Sequence, residues 1–157
     1  MTTHESDIPN MKPSRSTRFP GSRYLRTPQP QGFGLVFNVL EDGRVHAPII
    51  FDASKEGPPG HVHGGALAVV LDEAMGTACY EAGRLGFTAT MTVNFRVGAA
   101  IGAEFEVWGQ VDAVEGRKTQ ASAWITGRDG TVVADAHATF VMSERLRQLL
   151  ADGGGES

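Results

Sequence analysis

The residues best able to do chemistry are concentrated in one stretch, residues 60–81, with the sequence GHVHGGALAVVLDEAMGTACYE. A His-Gly-Gly segment at residues 63–65 lies near its start, and an acidic pair, Asp72 and Glu73, interrupts a run that is otherwise almost entirely apolar. A carboxylate in apolar surroundings is costly unless it is paired, hydrogen-bonded or used in a reaction. The acidic pair is therefore the first candidate for catalysis.

The same stretch has the spacing of a buried helix. Its apolar residues follow the i, i+3, i+4, i+7 pattern, at Leu67, Val70, Leu71, Ala74, Met75 and Ala78. Small apolar residues on the other side leave little polar surface, so the helix should be covered on most sides. Gly83 predicts where it ends. Because successive residues lie about 100° apart around a helix, Asp72 and Glu73 point to opposite flanks, and we assign Glu73 to structure.

Gly64 and Gly65 open this helix, and their backbone N–H groups should therefore lack intrahelical partners and point outward. The aligned peptide dipoles make this end of the helix electropositive. Such donors can polarise a carbonyl and stabilise the oxyanion that forms when it is attacked. A glycine-rich turn that merely packs tightly explains the two residues equally well.

Apolar and polar residues alternate on both sides of the helix, as is typical of antiparallel strands with one covered face. Before it, residues 33–39 and 45–51 alternate around a turn at residues 42–43, and residues 52–60 form a loop. After it come four more alternating segments, at residues 91–97, 105–113, 121–125 and 132–142. The pattern predicts the α+β class, with a single curled antiparallel sheet of about six strands wrapped around the long central helix.

The chain of 157 residues predicts one folded domain with less ordered ends. Residues 1–31 are polar, rich in proline and without periodicity, which predicts a flexible N-terminal arm. Residues 32–142 contain all the periodic segments and should form the domain. Residues 143–157 predict a short C-terminal helix with Ser143 as its N-cap, followed by a loose tail.

Composition excludes several classes of function. A net charge of −4 argues against a nucleic-acid binder, and no apolar run is long enough to span a membrane. The single cysteine, Cys79, cannot form an internal disulfide, and no Cys spacing predicts a metal site. We expect a cytoplasmic protein. An organellar matrix is the alternative, because residues 11–26 are rich in Arg and Ser and lack acids, although Pro13 and Pro20 interrupt the helix that a transit peptide needs.

The order of strands and helix, with these motifs, resembles the hotdog-fold acyl-CoA thioesterases. The resemblance covers residues 33–142 and is closest to the branch of the 4-hydroxybenzoyl-CoA and phenylacetate-pathway thioesterases. It is carried by the His-Gly-Gly of residues 63–65, by Asp72 nine residues after the histidine, and by TATMTVNF at residues 88–95. The resemblance implies a thioester hydrolase that uses no metal and no cofactor, with coenzyme A as part of its substrate. It also implies a homodimer or a dimer of dimers.

The resemblance also implies roles for individual residues. Asp72, contributed by the neighbouring subunit, would act as general base or as nucleophile. The alternative is a structural partner for an arginine or a backbone amide across a subunit interface. His63 would orient the carbonyl or hold the loop; a purely structural role in helix capping or loop hydrogen bonding is the alternative. Thr88 would orient water, but strict alternation turns Thr88 and Thr90 away from the helix. A strand irregularity or a second subunit would have to bring either residue into the site.

Three further residues complete the expected site: Thr90, Asn94 and Arg96 would contact the substrate, unless they are simply solvated. One position departs from the resemblance, because relatives carry an Asn or Gln where this chain has Gly57. The helper function is therefore either absent or supplied by His63 or Asn94. This departure supports a second hypothesis, a non-catalytic acyl-CoA-binding or lipid-binding protein. A hotdog dehydratase is a third, but no suitable His/Asp arrangement supports it.

Overall fold

The chain folds around one long helix that packs against the face of an antiparallel sheet. The structure, a computed structural model, describes residues 13–153. In chain order its elements are β1 (Pro13–Ser16), α1 (Arg23–Arg26), β2 (Asn38–Leu40), β3 (Val45–Ile50), α2 (Gly64–Glu81), β4 (Gly86–Phe95), β5 (Glu104–Glu115), β6 (Lys118–Gly127), β7 (Val132–Met142) and α3 (Glu144–Gly153).

The strands form one sheet in the order β1-β2-β3-β5-β6-β7-β4, and every neighbouring pair is antiparallel. The predicted α+β class with a single sheet and a central helix is confirmed. The sequence predicts about six strands, and the described part of the chain has seven, because β1 adds a strand at one edge. The other edge is β4, whose only partner in this sheet is β7.

Helix α2 buries the apolar stripe that the sequence predicts, formed by Leu67, Val70, Leu71, Ala74, Met75 and Ala78. It approaches the sheet closely at Gly109 in β5. A Cβ added to Gly109 would lie 2.5 Å from the carbonyl oxygen of Ala74 and 2.8 Å from its carbonyl carbon. The helix backbone therefore rests directly on the strand. At its far end α2 stops at Glu81, and Gly83 adopts a φ of 75° there, as the sequence predicts.

Residues 33–39 differ from the predicted strand, because only residues 38–40 join the sheet. The alternation in this segment still marks burial, since Phe33, Leu35 and Phe37 are each 2% exposed. Their backbone hydrogen bonds explain the difference. The N–H groups of Phe33 and Leu35 both donate to the carbonyl of Leu25, at 3.2 and 2.9 Å, rather than to a neighbouring strand.

Residues 13–31 are packed against the domain, whereas the sequence predicts a flexible arm over residues 1–31. Leu25 of α1 is only 2% exposed. Glu81, at the end of α2, binds Arg15 as an ion pair and accepts hydrogen bonds from the Thr17 hydroxyl at 2.6 Å and from the Arg18 amide at 3.2 Å. Such contacts join residues that are far apart in the chain, and they leave no periodic pattern in the sequence that could predict them. Residues 1–12 and 154–157, which include parts of the expected arm and tail, lie outside the described residues.

Two further observations concern the helices. The hydroxyl of Ser143 accepts a hydrogen bond from the Leu146 amide at 3.1 Å, in the first turn of α3.

None of the helices in the described part of the chain combines the length and hydropathy that crossing a bilayer requires.

The close approach at Gly109 predicts the effect of adding one methyl group there. Gly109→Ala should lower the free energy of unfolding by about 1–3 kcal/mol, because the methyl would displace backbone rather than a flexible side chain. Urea denaturation measures this change. The control is Gly76→Ala within α2, whose methyl would lie 3.7 Å from Phe140 and which should keep or increase stability. A Gly109→Ala protein as stable as the wild type would contradict this packing.

Candidate active site

The first turn of α2 has one backbone N–H group without a protein partner. The His63 side chain caps the helix, and its Nδ1 accepts the Gly65 amide proton at 2.8 Å. The amides of Ala66 and Leu67 donate to the carbonyl of His63, at 3.0 and 3.2 Å. Within the described residues, the Gly64 amide alone in this turn donates no hydrogen bond. The expectation that both glycine amides point outward is therefore wrong for Gly65, whose amide the histidine engages.

The same contact determines which ring nitrogen of His63 carries the proton. Because Nδ1 accepts the Gly65 amide proton, the neutral ring has its own proton on Nε2. The side chain is exposed, and Nε2 has no hydrogen-bond partner within the described chain. The start of α2 thus presents two donors, the amide of Gly64 and Nε2 of His63.

Asp72 is half-buried and makes one side-chain hydrogen bond, in which the Thr88 hydroxyl donates to its Oδ1 at 2.7 Å. No Lys, Arg or His among the described residues forms an ion pair with it. Among the described residues of one chain, the carboxylate is therefore not locked against a cation.

A β-bulge brings Thr88 to Asp72. The register between β4 and β7 shifts between Thr88 and Thr90, so that Thr88 pairs with Phe140 and Thr90 pairs with Thr139. Cross-strand partners share a face of the sheet, and Phe140 is in the core. Thr88 therefore faces α2, while Thr90 faces the other side. The prediction from strict alternation, that Thr88 faces away from α2, is therefore wrong. A bulge inserts one extra residue into the strand, so the residues before it point to the opposite face from the one that alternation predicts.

Glu73, next to Asp72, is occupied by a different contact. Its Oε2 accepts the Ser22 amide proton at 3.0 Å, which ties the segment before α1 to α2. Burial raises the pKa of Glu73 above its ordinary value, and the charge of Asp72 adds to this rise, while the Ser22 hydrogen bond and Arg26 oppose it. The two carboxylates thus face different partners, as the helical spacing predicts.

Thr90 and Asn94 lie on the face of β4 that is turned away from α2, and Arg96 follows directly after the strand. The Asn94 amide donates to Asp135 at 3.0 Å, and the Arg96 guanidinium binds the same carboxylate at 2.8 and 3.2 Å. Hydrogen bonding from Arg96 is the main cause that lowers the pKa of Asp135. The structure does not bring these three residues to Asp72, and their contact with substrate stays a prediction.

Cys79 is buried in α2, and burial raises the pKa of its thiol to about 12. A thiol with such a pKa is not ionised at neutral pH and is a poor nucleophile. The side chain therefore packs in the core as a small hydrophobe.

Asp72 and Gly64 are too far apart in one chain to act on the same carbonyl group. Eight residues separate them, and at 1.5 Å per residue this places them about 12 Å apart along the axis of α2. A single chain therefore has the donors at one place and the carboxylate at another.

Comparison with known proteins identifies the family. Residues 59–134 match the family model described as the thioesterase superfamily, a range that includes the start of α2, Asp72 and β4. This segment of the chain belongs to the hotdog thioesterase superfamily. The resemblance read from the His-Gly-Gly segment and the spacing of Asp72 is thereby confirmed at the level of the superfamily.

Individual proteins that are similar to this chain support the same family. The chain is 34% identical over 88 residues to the acyl-coenzyme A thioesterase THEM4 of Xenopus laevis, which covers 55% of this chain and 39% of that protein. It therefore spans about two-fifths of the length of this relative. Among solved structures, a thioesterase superfamily protein is 32% identical, with a TM-score of 0.67, over 68% of this chain and 53% of the other. A hypothetical thioesterase from Streptococcus pneumoniae, solved with coenzyme A, has the same fold at 22% identity, with a TM-score of 0.62 over 65% and 82% of the two chains.

The raised pKa of Glu73 predicts how stability depends on pH. The folded protein binds this proton more tightly than the unfolded chain, whose glutamate has a pKa of about 4.3. The stabilising contribution is therefore complete below that value and is lost as the pH rises through the raised pKa. Relative to Glu73→Gln, which does not titrate, the wild type should become less stable as the pH rises above about 4.3 and through the raised pKa.

Urea denaturation of both proteins at a series of pH values measures this difference. The exposed substitution Glu115→Gln is the matched control and should leave the pH profile of stability unchanged. The raised pKa of Glu73 would be contradicted if the difference in free energy of unfolding between wild type and Glu73→Gln stayed constant across the pH series. A change in the opposite direction would also contradict it.

Proposed function

We propose that this protein is an acyl-CoA thioesterase that hydrolyses its substrate to a free acid and coenzyme A. Its relative THEM4 is named an acyl-coenzyme A thioesterase, which supports both the reaction and the substrate class. The observation that carries the proposal is the state of Asp72. It is a carboxylate on an apolar helix with a hydroxyl donor from Thr88 and no cationic partner among the described residues.

A complete site requires a second copy of the chain. Among the described residues, the long edge strand β4 has a strand partner on one side only, and such an edge is a template for another strand. Two phenylalanines of this strand are mostly exposed, Phe87 at 62% and Phe95 at 55%. Exposed apolar side chains on an unpaired edge support burial against another subunit.

Pairing of β4 with its copy across a two-fold axis would bring the two halves of the site together. Within one chain, Asp72 lies near the start of β4, because it accepts a hydrogen bond from Thr88 there. Gly64 lies near the end of β4, where a Cβ added to it would be 3.5 Å from the ring of Phe95. In an antiparallel pair of identical strands, the start of one lies beside the end of the other. Asp72 of one copy would therefore approach Gly64 of its partner.

The reaction follows from this arrangement. The Gly64 amide would polarise the thioester carbonyl and bind the oxyanion as it forms. Asp72 of the other copy would take a proton from water while the water oxygen attacks the carbonyl carbon. Collapse of the tetrahedral intermediate breaks the carbon–sulfur bond, and the coenzyme A thiolate leaves and acquires a proton. Thr88, which donates to Oδ1, would hold the carboxylate and leave Oδ2 facing the water.

Direct attack by Asp72 is the alternative within the same reaction. The carboxylate would attack the thioester carbonyl carbon, break the carbon–sulfur bond, release the coenzyme A thiolate and form a mixed anhydride, which water then hydrolyses. Single turnover in ¹⁸O-labelled water identifies the anhydride route if the label enters Asp72. Attack of water on the thioester puts the label only in the released acid, whereas attack on the aspartyl carbonyl of the anhydride puts it in Asp72.

A non-catalytic acyl-CoA-binding protein is the second candidate. The observation that favours it is Gly57, which offers no side-chain amide beside the start of α2. Tight binding of acyl-CoA by the unaltered protein without release of thiol would select this function.

Asp72→Asn tests the proposed hydrolysis. The substitution keeps the shape of the side chain and removes its basicity. Loss of a general base typically costs a factor of about 10²–10⁴, so kcat should fall by a factor in that range. The measurement is thiol release from a panel of acyl-CoA chain lengths.

Glu73→Gln is the matched control, because it removes the neighbouring carboxylate from the same turn of α2. It should retain nearly wild-type kcat. Hydrolysis unchanged in Asp72→Asn would remove this residue from the mechanism. Equal losses in both variants would point to damage of the helix rather than to catalysis.

A further inference from the structure

Gly57 lies directly against His63. A Cβ added to Gly57 would be 2.8 Å from the Cα of His63, 3.0 Å from its Cβ and 3.2 Å from ring atom Cδ2. Real Cβ atoms essentially never approach a backbone carbon at the first of these distances. The space that a side chain at position 57 would need is therefore occupied by the histidine.

Gly65 lies against the opposite edge of the same ring. A Cβ added there would be 3.1 Å from Nδ1 of His63 and 3.3 Å from Cε1. In an imidazole ring, Cδ2 and Nδ1 are on opposite edges, and Nε2 is the corner between Cδ2 and Cε1. The two glycines thus flank the ring on both edges and leave Nε2 uncovered.

The loop that contains Gly57 has little freedom to move away. The Gly57 amide donates to the carbonyl of His61 at 2.9 Å, and the His63 amide donates to the carbonyl of Lys55 at 2.7 Å. Glu56 and Val62 form an antiparallel bridge between these bonds. Because both sides of the loop are tied together next to the contact, a larger residue at position 57 would have to displace His63.

We propose that Gly57 and Gly65 form a clamp that positions His63, so that its Nε2 proton serves as a second donor to the thioester carbonyl beside the Gly64 amide. The inference rests on the proposed hydrolysis for the role of this donor. Gly57 and Gly65 are positioning residues, because they act through the ring of His63. The clamp also accounts for Gly57 itself, since an Asn or Gln side chain at that position would occupy the space of the histidine.

Gly57→Ala and Gly65→Ala test the clamp from its two edges. Each should lower kcat/KM by about 10- to 100-fold, since a displacement of about 1 Å can cost a factor of 10². Gly76→Ala, an ordinary contact in the same helix, is the control and should keep wild-type kcat/KM. If one of the two variants does not fold, the other still tests the clamp, because the two substitutions act on opposite edges of the His63 ring.

The second readout does not depend on turnover. The ¹⁵N shifts of the His63 ring, assigned by their loss in His63→Gln, should show Nδ1 unprotonated and Nε2 protonated in the wild type. Both alanine variants should change this pattern, and Gly76→Ala should not.

Unaltered ring shifts and kcat/KM in both variants would overturn the clamp, and so would a loss of activity with unaltered ring shifts. If Asp72→Asn retained hydrolysis, the proposed mechanism would fail while the ring shifts still decided whether the glycines hold His63. If Asp72→Asn lost activity and the glycine variants did not, the clamp would fail and the hydrolysis would stand.

Discussion

The rigidity of α2 is the constraint on which the proposed site depends. The free amide of Gly64 and the carboxylate of Asp72 are on one helix, about 12 Å apart along its axis. The helix is pressed onto β5 so closely that Gly109 has no room for a Cβ beside Ala74. Neither group can move toward the other without unpacking the core. Any reaction that uses both groups must therefore take them from different copies of the chain.

The central helix and the strands after it could be predicted because their apolar residues keep an unbroken period. Residues 13–31 could not, because polar contacts with Glu73 and Glu81 hold them and such contacts carry no period. The segment of Phe33, Leu35 and Phe37 alternates as a strand does, although the amides of the first two of these residues both bond to the carbonyl of Leu25. Alternation reports burial, and it reports sheet pairing only where a neighbouring strand is available.

The candidate site was predictable in its components more than in its geometry. The spacing from the histidine identified Asp72, and the glycines identified the start of α2. The orientation of Thr88 depends on one bulge, and nothing in the residues around it interrupts the alternation. The engagement of the Gly65 amide depends on the rotamer of His63, which residue types alone do not determine. A His-Gly-Gly segment at a helix start therefore need not supply two free amides.

The same bulge connects the chemistry to association. It turns Thr88 inward to hold Asp72, while Phe87 beside it stays 62% exposed on the edge strand. In one chain the carboxylate is half-buried and Thr88 is exposed, so water screens both. A second β4 against this edge would cover Thr88 and exclude part of that water. Electrostatic interactions strengthen as water is excluded, so subunit pairing would both complete the set of groups and provide the low-dielectric surroundings in which they act.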